Sequence, residues 1–381
     1  MYSVEKTKGL NFSRQFDYPL FIGVLLLSVI GLFVLSSATK VMPGNVSGHH
    51  IMLVQGAGFL IGIVAALVLC FFDYKNFKSL GLILYIFSII LLVAVLFFGV
   101  KKQDSRSWFN LPGMGSFQPA EIGKITMILF VCIFVERIKE ETKNKKANII
   151  KFVIYSMIPI VLVLKQPDMG TAMVFMFILF VIVFVGGLPY KYIGGMILAA
   201  IPVFLGVWFF VLDKYQKLRF LAFLYPDKYQ QDAAFNVQRA MIAIGSGQLD
   251  GKGLYRGIQT QNMGVPVKES DFIFSVIGEE LGFIGCVVVI ALIVFILLRC
   301  IYIAKNSRDL YGSYLVIGIT GMMAFHFIEN IGMNIGVLPV TGIPLPFVSQ
   351  GGSSMVTNYI AIGIVLSVSM RRKRAIFNAM E

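Results

Sequence analysis

The chain has 381 residues, of which 57% are hydrophobic and only 14% are charged, and its formal net charge is +13. Soluble domains carry about 25% charged residues, so this chain has too few polar groups to cover a water-facing surface. The composition excludes a soluble enzyme and a disordered tail. The four cysteines stand singly in apolar runs, which excludes a disulfide-built secreted module.

The sequence predicts an all-α, polytopic membrane protein that forms a single domain over residues 1–381. A helix needs about 20 mostly apolar residues to cross a bilayer. Ten runs of this kind follow one another, at 20–38, 51–72, 79–99, 120–136, 149–165, 170–187, 191–212, 272–299, 311–335 and 354–370. The first run leads into further spans, so it is interpreted as a span and not as a cleaved signal peptide.

Lysine and arginine residues predict the orientation of these spans. They concentrate in the N-terminal segment 1–19, in the even-numbered loops and in the tail 371–381, and they are sparse in the short odd-numbered loops. Under the positive-inside rule both termini are cytoplasmic and the odd-numbered loops face outward from the cell membrane. Topology thus explains the basic excess, and no motif points to a nucleic-acid partner.

The long outer loop, residues 213–271, joins the seventh and eighth predicted spans. Within it, residues 232–244 have the pattern of a short amphipathic helix. We expect this helix to lie on the outer membrane surface and to fold back toward the spans.

Ionisable residues inside spans are costly and usually functional. Glu121 and Lys124 open the fourth span three residues apart, on one helix face. They form either a structural ion pair or the polar wall of a cavity that contacts substrate. Asp168 lies in a tight outer turn between the fifth and sixth spans.

Asp271 stands at the outer start of the eighth span, where it could simply cap the helix. Ser275 and Glu279 follow at i+4 and i+8, on one face, and a cap does not need a second acid one or two turns deeper. This face is therefore predicted to line a polar cavity. Whether Glu279 assists Asp271 is left open.

The ninth span carries its own polar group. His326 and Asn330 lie close to Glu329 in the sequence, and Asn334 follows. We interpret this group as a buried hydrogen-bonded patch that ties helices together.

An uncharged segment with three prolines and four glycines, residues 334–354, precedes the tenth span. Such backbone is tolerated at membrane depth only where it is buried in protein or lines a cavity, so a re-entrant element is predicted. At its end, Ser349, Gly351, Gly352, Ser353 and Ser354 could offer free N–H groups to an anion such as a diphosphate. A purely packing role is the alternative.

The chemistry suggested by these residues is limited. The sequence has neither a GxxxxGK[ST] phosphate loop nor an HExxH metal motif, and no metal site is predicted. A carboxylate on an outward-facing cavity suits a general base for a sugar hydroxyl, and a cation suits a diphosphate leaving group. A lipid-linked sugar is a natural substrate, although a transporter would show much of the same sequence.

A series of motifs, in order along nearly the whole chain, resembles the SEDS family of shape, elongation, division and sporulation proteins. They are FDY at 16–18, SWF at 107–109, FQPAEIGK at 117–124, QPDMGTA at 166–172, SDFIF at 270–274, EELG at 279–282, GVLPVTG at 336–342 and GGSS at 351–354. The resemblance is strongest to the elongation branch. Ala120 and Gln350 depart from the family pattern, which affects fine contacts only.

The resemblance implies a peptidoglycan glycosyltransferase with ten spans that polymerises lipid II at the outer membrane face. It implies that Asp271 is the catalytic acid, acting on the acceptor 4-hydroxyl while undecaprenyl diphosphate leaves. It also implies roles for the Glu121–Lys124 pair and for Trp108, and looser ones for Lys217, Arg219 and Gln238. Expected partners are a nascent glycan strand, a class B penicillin-binding protein and membrane proteins of the elongation complex. A divalent cation, magnesium or manganese, is left open.

Two other interpretations stay open. The first is a lipid II flippase, which transports the lipid and makes no polymer. The second is a non-catalytic scaffold that holds a partner synthase, in which case the acids of the cavity are dispensable for polymerisation.

Overall fold

The computed structural model describes residues 15–42, 47–102, 105–111, 115–140, 144–187, 212–226, 228, 229, 233–262 and 264–372, with isolated residues between 194 and 209. Its elements are α1 (Tyr18–Ala38), α2 (Gly48–Phe71), α3 (Tyr74–Phe98), β1 (Val100–Lys102), β2 (Ser105–Leu111), β3 (Gly115–Phe117), α4 (Pro119–Glu140), α5 (Lys145–Lys165), α6 (Met169–Val185), α7 (Lys214–Leu224), α8 (Ala233–Ser246), α9 (Ile258–Gln261), α10 (Ile273–Lys305), α11 (Leu310–Asn334) and α12 (Gly352–Met370).

The mostly helical, multi-pass membrane architecture is confirmed. Seven of the described helices are long and apolar enough to cross a membrane: α1, α2, α3, α5, α10, α11 and α12. The apolar α6 is shorter, with 17 residues. Most of predicted span 191–212, and the terminal residues 1–14 and 373–381, lie outside the described residues. The count of ten spans therefore stays a prediction.

Helices α4 and α11 form the centre of the bundle. Nearly every residue of α4 from Pro119 to Val135 is buried, and α11 is buried over most of its length. Helix α4 packs against α3, α5, α6, α11 and α12. A helix buried on all sides can carry polar groups only if neighbouring helices satisfy them, and these two helices hold Glu121, Lys124 and His326.

A small antiparallel sheet was missed by the all-α prediction. Strands β1, β2 and β3 pair in that order, with Trp108 opposite Val100 and Asn110 opposite Ser116. Side chains two residues apart on a strand point to the same face. Trp108 and Asn110 therefore share one face with Ser116, the partner of Asn110 on β3.

The outer loop is fastened to α10 at a break in that helix. Gly282 has φ +68°, and the break frees backbone groups on both of its sides. Lys252 and Gly253 donate their N–H groups to the Glu279 and Glu280 carbonyls, at 3.0 and 2.9 Å. In return, the N–H of Phe283 donates to the Gln248 carbonyl at 2.8 Å. The predicted amphipathic helix at 232–244 is observed as α8.

Ion pairs gather the predicted cytoplasmic segments at one end of the bundle. Asp17, at the start of α1, accepts from Arg299 near the end of α10 at 2.6 Å. Arg371, after α12, pairs with Asp73 between α2 and α3 at 3.4 Å. The sheet, the outer loop and the segment before α12 connect the opposite helix ends. Their arrangement agrees with the predicted division of the loops into two sides.

Close packing of α2 on α12 gives a test of the fold. A Cβ at Gly58 would lie 2.8 Å from the Gly352 carbonyl oxygen, whereas a Cβ at Gly56, on the same helix, would meet nothing within 4 Å. We expect Gly58→Ala to lower the free energy of unfolding by about 1–3 kcal/mol, the usual cost of overpacking. Gly56→Ala should leave it unchanged or raise it. Denaturation in detergent checks this, and equal stabilities of the two variants would contradict the packing.

Candidate functional site

A large polar cavity lies at the end of the bundle opposite the ion pairs. Its volume is about 990 Å³. The face of the sheet that carries Trp108 forms one wall, and the starts of α2, α4, α6 and α12 form others. Residues of α7, the segment 267–271 and the loop 340–344 complete it. This size is at the upper end of the range for small-molecule pockets, so the cavity can admit a large substrate.

Nine of the site residues proposed from the sequence line this cavity. Six come from different parts of the chain, Trp108, Glu121, Asp168, Arg219, Asp271 and Ser353, and Gly351, Gly352 and Ser354 adjoin Ser353. The convergence of these six is therefore a property of the fold and not of sequence proximity. Their roles stay predictions.

Asp271 is a buried carboxyl group just before α10. Its side chain is 7% exposed, and its Oδ1 accepts from the Ser270 hydroxyl at 2.9 Å. Burial raises the pKa of the Asp271 carboxyl, while the Ser270 hydrogen bond and the nearby positive charge of Arg219 lower it. A carboxylate whose basicity is raised above the usual value is the kind of group that can accept a proton during catalysis.

The backbone at Asp271 is held by α11. The side-chain amides of Asn330 and Asn334 both donate to the Asp271 carbonyl, at 2.9 and 3.0 Å. Asn330 also donates to the Ile343 carbonyl at 2.8 Å. The asparagine part of the predicted hydrogen-bonded patch is thus present, and it fixes the segment that carries Asp271 against the loop 340–344.

The segment before α12 joins this framework. The Ser349 hydroxyl donates to the Ser270 carbonyl at 2.6 Å and accepts from the Leu345 N–H at 2.8 Å. The Gln350 N–H donates to the Glu269 carbonyl at 2.8 Å. Ser349 therefore has a structural place behind the cavity and does not line it.

Lys124 lies behind the cavity wall, between two groups that line it. Its ammonium donates to Glu121 Oε1 at 2.8 Å and contacts His326 Nε2 at 2.9 Å. His326 Nδ1 is 2.7 Å from the Met322 carbonyl, which can only accept. The proton therefore sits on Nδ1, and Nε2 accepts from Lys124. The sequence placed His326 beside Glu329, whereas Glu329 accepts from Thr341 at 2.9 Å.

Asp168 connects the starts of α4 and α6. Its Oδ1 accepts from the Thr171 N–H at 3.0 Å, which makes it the N-cap of α6, and its Oδ2 accepts from the Gln118 amide at 2.8 Å. Burial raises the pKa of the Asp168 carboxyl, and its hydrogen bonds oppose this.

The predicted anion site at the start of α12 is only partly available. Gln55 of α2 accepts from the Gly351 N–H at 2.9 Å and donates to the Ser349 carbonyl at 3.0 Å. The expectation that the Gly351 N–H is free is therefore wrong. Gly352, Ser353 and Ser354 line the cavity. Gln55 was missed, although a glutamine inside an apolar helix is a signal of an interhelical contact.

The prediction that Glu279 and Ser275 share a cavity wall with Asp271 is wrong. Glu279 is fully buried and accepts from Lys252 at 2.9 Å, and from the Gln259 and Thr260 N–H groups at 2.8 Å each. Ser275 donates to the Phe272 carbonyl at 2.6 Å. Asp271 precedes the first helical residue of α10, so the helix-face argument does not extend to it.

Two further candidates lie elsewhere. Gln238, on α8, lines a second cavity that also touches Arg219. Lys217, on α7, lines neither cavity. Among the residues that the structure describes, no group of three or more His, Cys, Asp or Glu is placed to hold a metal ion.

Comparisons with known proteins agree with this architecture. A family model described as "Cell cycle protein", of FtsW, RodA and SpoVE, matches residues 18–374. The peptidoglycan glycosyltransferase MrdB of Escherichia coli K12 is 34% identical over 354 residues, covering 92% of this chain and 93% of that protein. The peptidoglycan glycosyltransferase RodA of Treponema pallidum is 31% identical and covers 94% and 98%.

Solved structures agree as well. A structure titled "Structural coordination of polymerization and crosslinking by a peptidoglycan synthase complex" is similar with a TM-score of 0.76 and 29% identity, over 93% of this chain and 97% of that one. Rod shape determining protein RodA of Thermus thermophilus is similar with a TM-score of 0.69 and 26% identity, over 94% and 98%. The fold and the cavity define a polytopic membrane protein of peptidoglycan synthesis. The chain belongs to the FtsW/RodA/SpoVE, or SEDS, family and is RodA-like.

The two asparagines of α11 give a test of the site framework. We expect Asn334→Ala to lower the free energy of unfolding by about 1–3 kcal/mol, because it removes donors from buried carbonyl groups. Asn306→Ala is the matched control: its amide also donates to a backbone carbonyl, of Tyr302 at 2.8 Å, but in an exposed position. The control should change stability by less than about 0.5 kcal/mol. An Asn334 variant as stable as the control would show that the framework does not depend on this contact.

Proposed function

We propose that this chain is a peptidoglycan glycosyltransferase that polymerises lipid II into β-1,4 glycan strands at the outer membrane face, in cell elongation. The observation that carries the proposal is that the buried carboxyl group of Asp271 and the cation of Arg219 line one cavity, at the end of the bundle opposite the basic segments. Family membership supports the same activity, since the named relatives are peptidoglycan glycosyltransferases.

The proposed topology follows from the charges. The ten predicted spans place both termini in the cytoplasm, and the ion-paired end of the bundle carries the Lys- and Arg-rich segments. The cavity then opens on the extracytoplasmic side, where lipid-linked sugar precursors are polymerised.

The proposed reaction is a single displacement. Asp271 accepts the proton of the acceptor GlcNAc 4-hydroxyl, and the oxygen attacks C1 of the donor MurNAc. The bond from C1 to the diphosphate oxygen breaks, and undecaprenyl diphosphate leaves with the electron pair. An α-linked diphosphate becomes a β-linked glycan, so the configuration inverts. Arg219 faces the same cavity and stabilises the charge of the leaving diphosphate.

Glu121, Lys124 and His326 form the deep wall of the cavity in this proposal. Lys124 is buried, does not line the cavity and contacts both groups, so it orients the Glu121 carboxylate and the His326 ring and does not contact substrate itself. The polar atoms of Glu121 and His326 then present fixed hydrogen-bonding groups to the sugar. Trp108 and Asn110 of the sheet line the same cavity and add an aromatic ring and an amide group to its surface.

The proposed partner is a class B penicillin-binding protein that crosslinks the new strand. The similar synthase complex is described as coordinating polymerisation and crosslinking. Other membrane proteins of the elongation complex are further candidates.

Removal of the base tests the reaction. We expect Asp271→Asn to lower the rate of lipid II polymerisation by the purified protein and its partner by about 10²–10⁴-fold, the usual contribution of general base catalysis. The control Asp250→Asn lies on the outer loop but is exposed and does not line the cavity, so its activity should equal that of the unmodified protein.

The same assay separates the alternatives. If the protein is a flippase, neither the unmodified protein nor the Asp271→Asn variant makes polymer. If it is a scaffold, the partner polymerises lipid II equally well with either one. Polymer made equally well by the Asp271 variant would exclude the proposed mechanism.

Arg219 allows a second test, through pH. Because burial raises the pKa of Asp271, the polymerisation rate should fall at acidic pH with a midpoint above about 3.9, the ordinary pKa of an aspartate. Arg219 lowers the pKa of Asp271, so Arg219→Gln should raise this pKa further and move the midpoint of the acidic fall in rate to higher pH. Lys217→Gln removes a charge from the same helix but not from the cavity, and it should leave the midpoint in place. Pre-steady-state polymerisation rates between pH 4 and 8 give this midpoint for the unmodified protein and for each variant. An unchanged midpoint in the Arg219 variant would contradict the assignment of Asp271 as the base that Arg219 influences.

A further inference from the structure

A second cavity adjoins the main one at Arg219. Its volume is about 300 Å³, and it is enclosed by α7, α8 and the segment that follows α11. Arg219 and Val340 line both cavities, so they mark the boundary between the two. A ligand that lies along Arg219 can therefore place one part in each cavity.

Most of the residues that line the second cavity are of apolar types. Apart from Arg219 and Gln238 the lining consists of Ala222, Phe223, Pro226, Ala234, Val237, Met241, Gly336, Leu338, Pro339 and Val340. A pocket of this composition favours a hydrocarbon group. Burial of apolar surface in it contributes about 25 cal/mol of binding free energy for each Å² removed from water. The sugars and peptide of a glycan precursor do not match it, whereas an isoprenoid does.

The mouth of this cavity is continuous with an exposed apolar surface. Phe223 and Met241 are 39% and 46% exposed, and the neighbouring Leu224 is 63% exposed. Exposed apolar side chains on amphipathic helices beside a bundle of membrane spans are suited to the membrane interface. A hydrocarbon chain that leaves the cavity here would pass into the lipid without crossing a polar surface.

We propose that the second cavity binds the first isoprene units of a polyprenyl diphosphate, with the diphosphate at Arg219 and the rest of the chain in the membrane. This inference rests on the proposed function, because it places the lipid carrier of that reaction. Arg219 stands between a cavity lined by many charged and polar residues and one lined mostly by apolar side chains, which complements a molecule whose diphosphate is attached directly to an isoprenoid. The small volume limits the site to the part of the chain nearest the diphosphate.

Gly336 explains how the chain builds this cavity. It has φ +74°, and a Cβ there would lie 2.7 Å from Met241 Sδ and 3.5 Å from Val237 Cγ1. Val237 and Met241 therefore project from α8 toward the segment that follows α11. A larger side chain at position 237 should fill the cavity from within.

The test is equilibrium binding of radiolabelled farnesyl diphosphate and inorganic diphosphate to the full-length protein in detergent. We expect farnesyl diphosphate to bind at least about tenfold more tightly than diphosphate, because only the former buries apolar surface. Val237→Phe should weaken farnesyl diphosphate binding by about tenfold and leave diphosphate binding unchanged. Arg219→Gln should weaken the binding of both farnesyl diphosphate and inorganic diphosphate. Ala234→Leu fills the same cavity from another position and should repeat the effect of Val237→Phe if that variant does not fold.

Ile242→Phe is the matched control, because Ile242 is on the same helix, is 45% exposed and does not line the cavity. It should bind both ligands as the unmodified protein does. Unchanged farnesyl diphosphate binding in the cavity-filling variants would overturn the proposal, as would equal weakening in the control. Displacement of farnesyl diphosphate by phosphatidylglycerol at similar concentrations would also overturn it, since the site would then be a general lipid site. Binding does not require turnover, so a protein that binds selectively but makes no polymer would refute the proposed function and retain this site.

Discussion

The double hydrogen bond from Asn330 and Asn334 to the Asp271 carbonyl is the contact on which the geometry of the site depends. Two segments of the cavity wall, 267–271 and 340–344, have no regular helix or strand to fix them. Asn330 donates to both segments, so one side chain on a buried helix sets their relative position. An unpaired buried carbonyl costs about 1–3 kcal/mol, which makes this arrangement the favoured one.

Two buried acids near the cavity end of the bundle, Glu279 and Asp271, differ in the donors that surround them. Glu279 accepts from an ammonium group, two backbone N–H groups and a hydroxyl, and so it serves as a fixed anchor for the outer loop. Asp271 accepts from the Ser270 hydroxyl and otherwise faces the cavity. Donors that saturate a carboxylate stabilise its charge and make it a poor proton acceptor. A buried carboxylate therefore holds the loop at Glu279, whereas the carboxylate of Asp271 is available for chemistry.

Much of the fold follows from the sequence because apolar length and buried charge are local properties. The predicted spans that fall in the described residues correspond to helices, and Asp271, Glu121 and Arg219 reach one cavity. Glu279 was misplaced because the helix-face argument assumed that α10 begins at Asp271, whereas it begins at Ile273. The partner of His326 and the role of Gln55 depend on contacts between residues about 200 and 300 positions apart, which no local pattern carries.

The two cavities give a physical reason why a polymerase of lipid-linked sugars needs a cation at their junction. On the proposed mechanism one product is a longer, strongly hydrated glycan and the other is an apolar carrier with a diphosphate head. These products have opposite solvent preferences, so a single undivided cavity would solvate one of them poorly. Arg219 lines both cavities, and on this proposal it holds the diphosphate while the isoprenoid lies among the apolar side chains of the second cavity. The bond that breaks then lies at the boundary itself, and each product leaves through the space that already matches it.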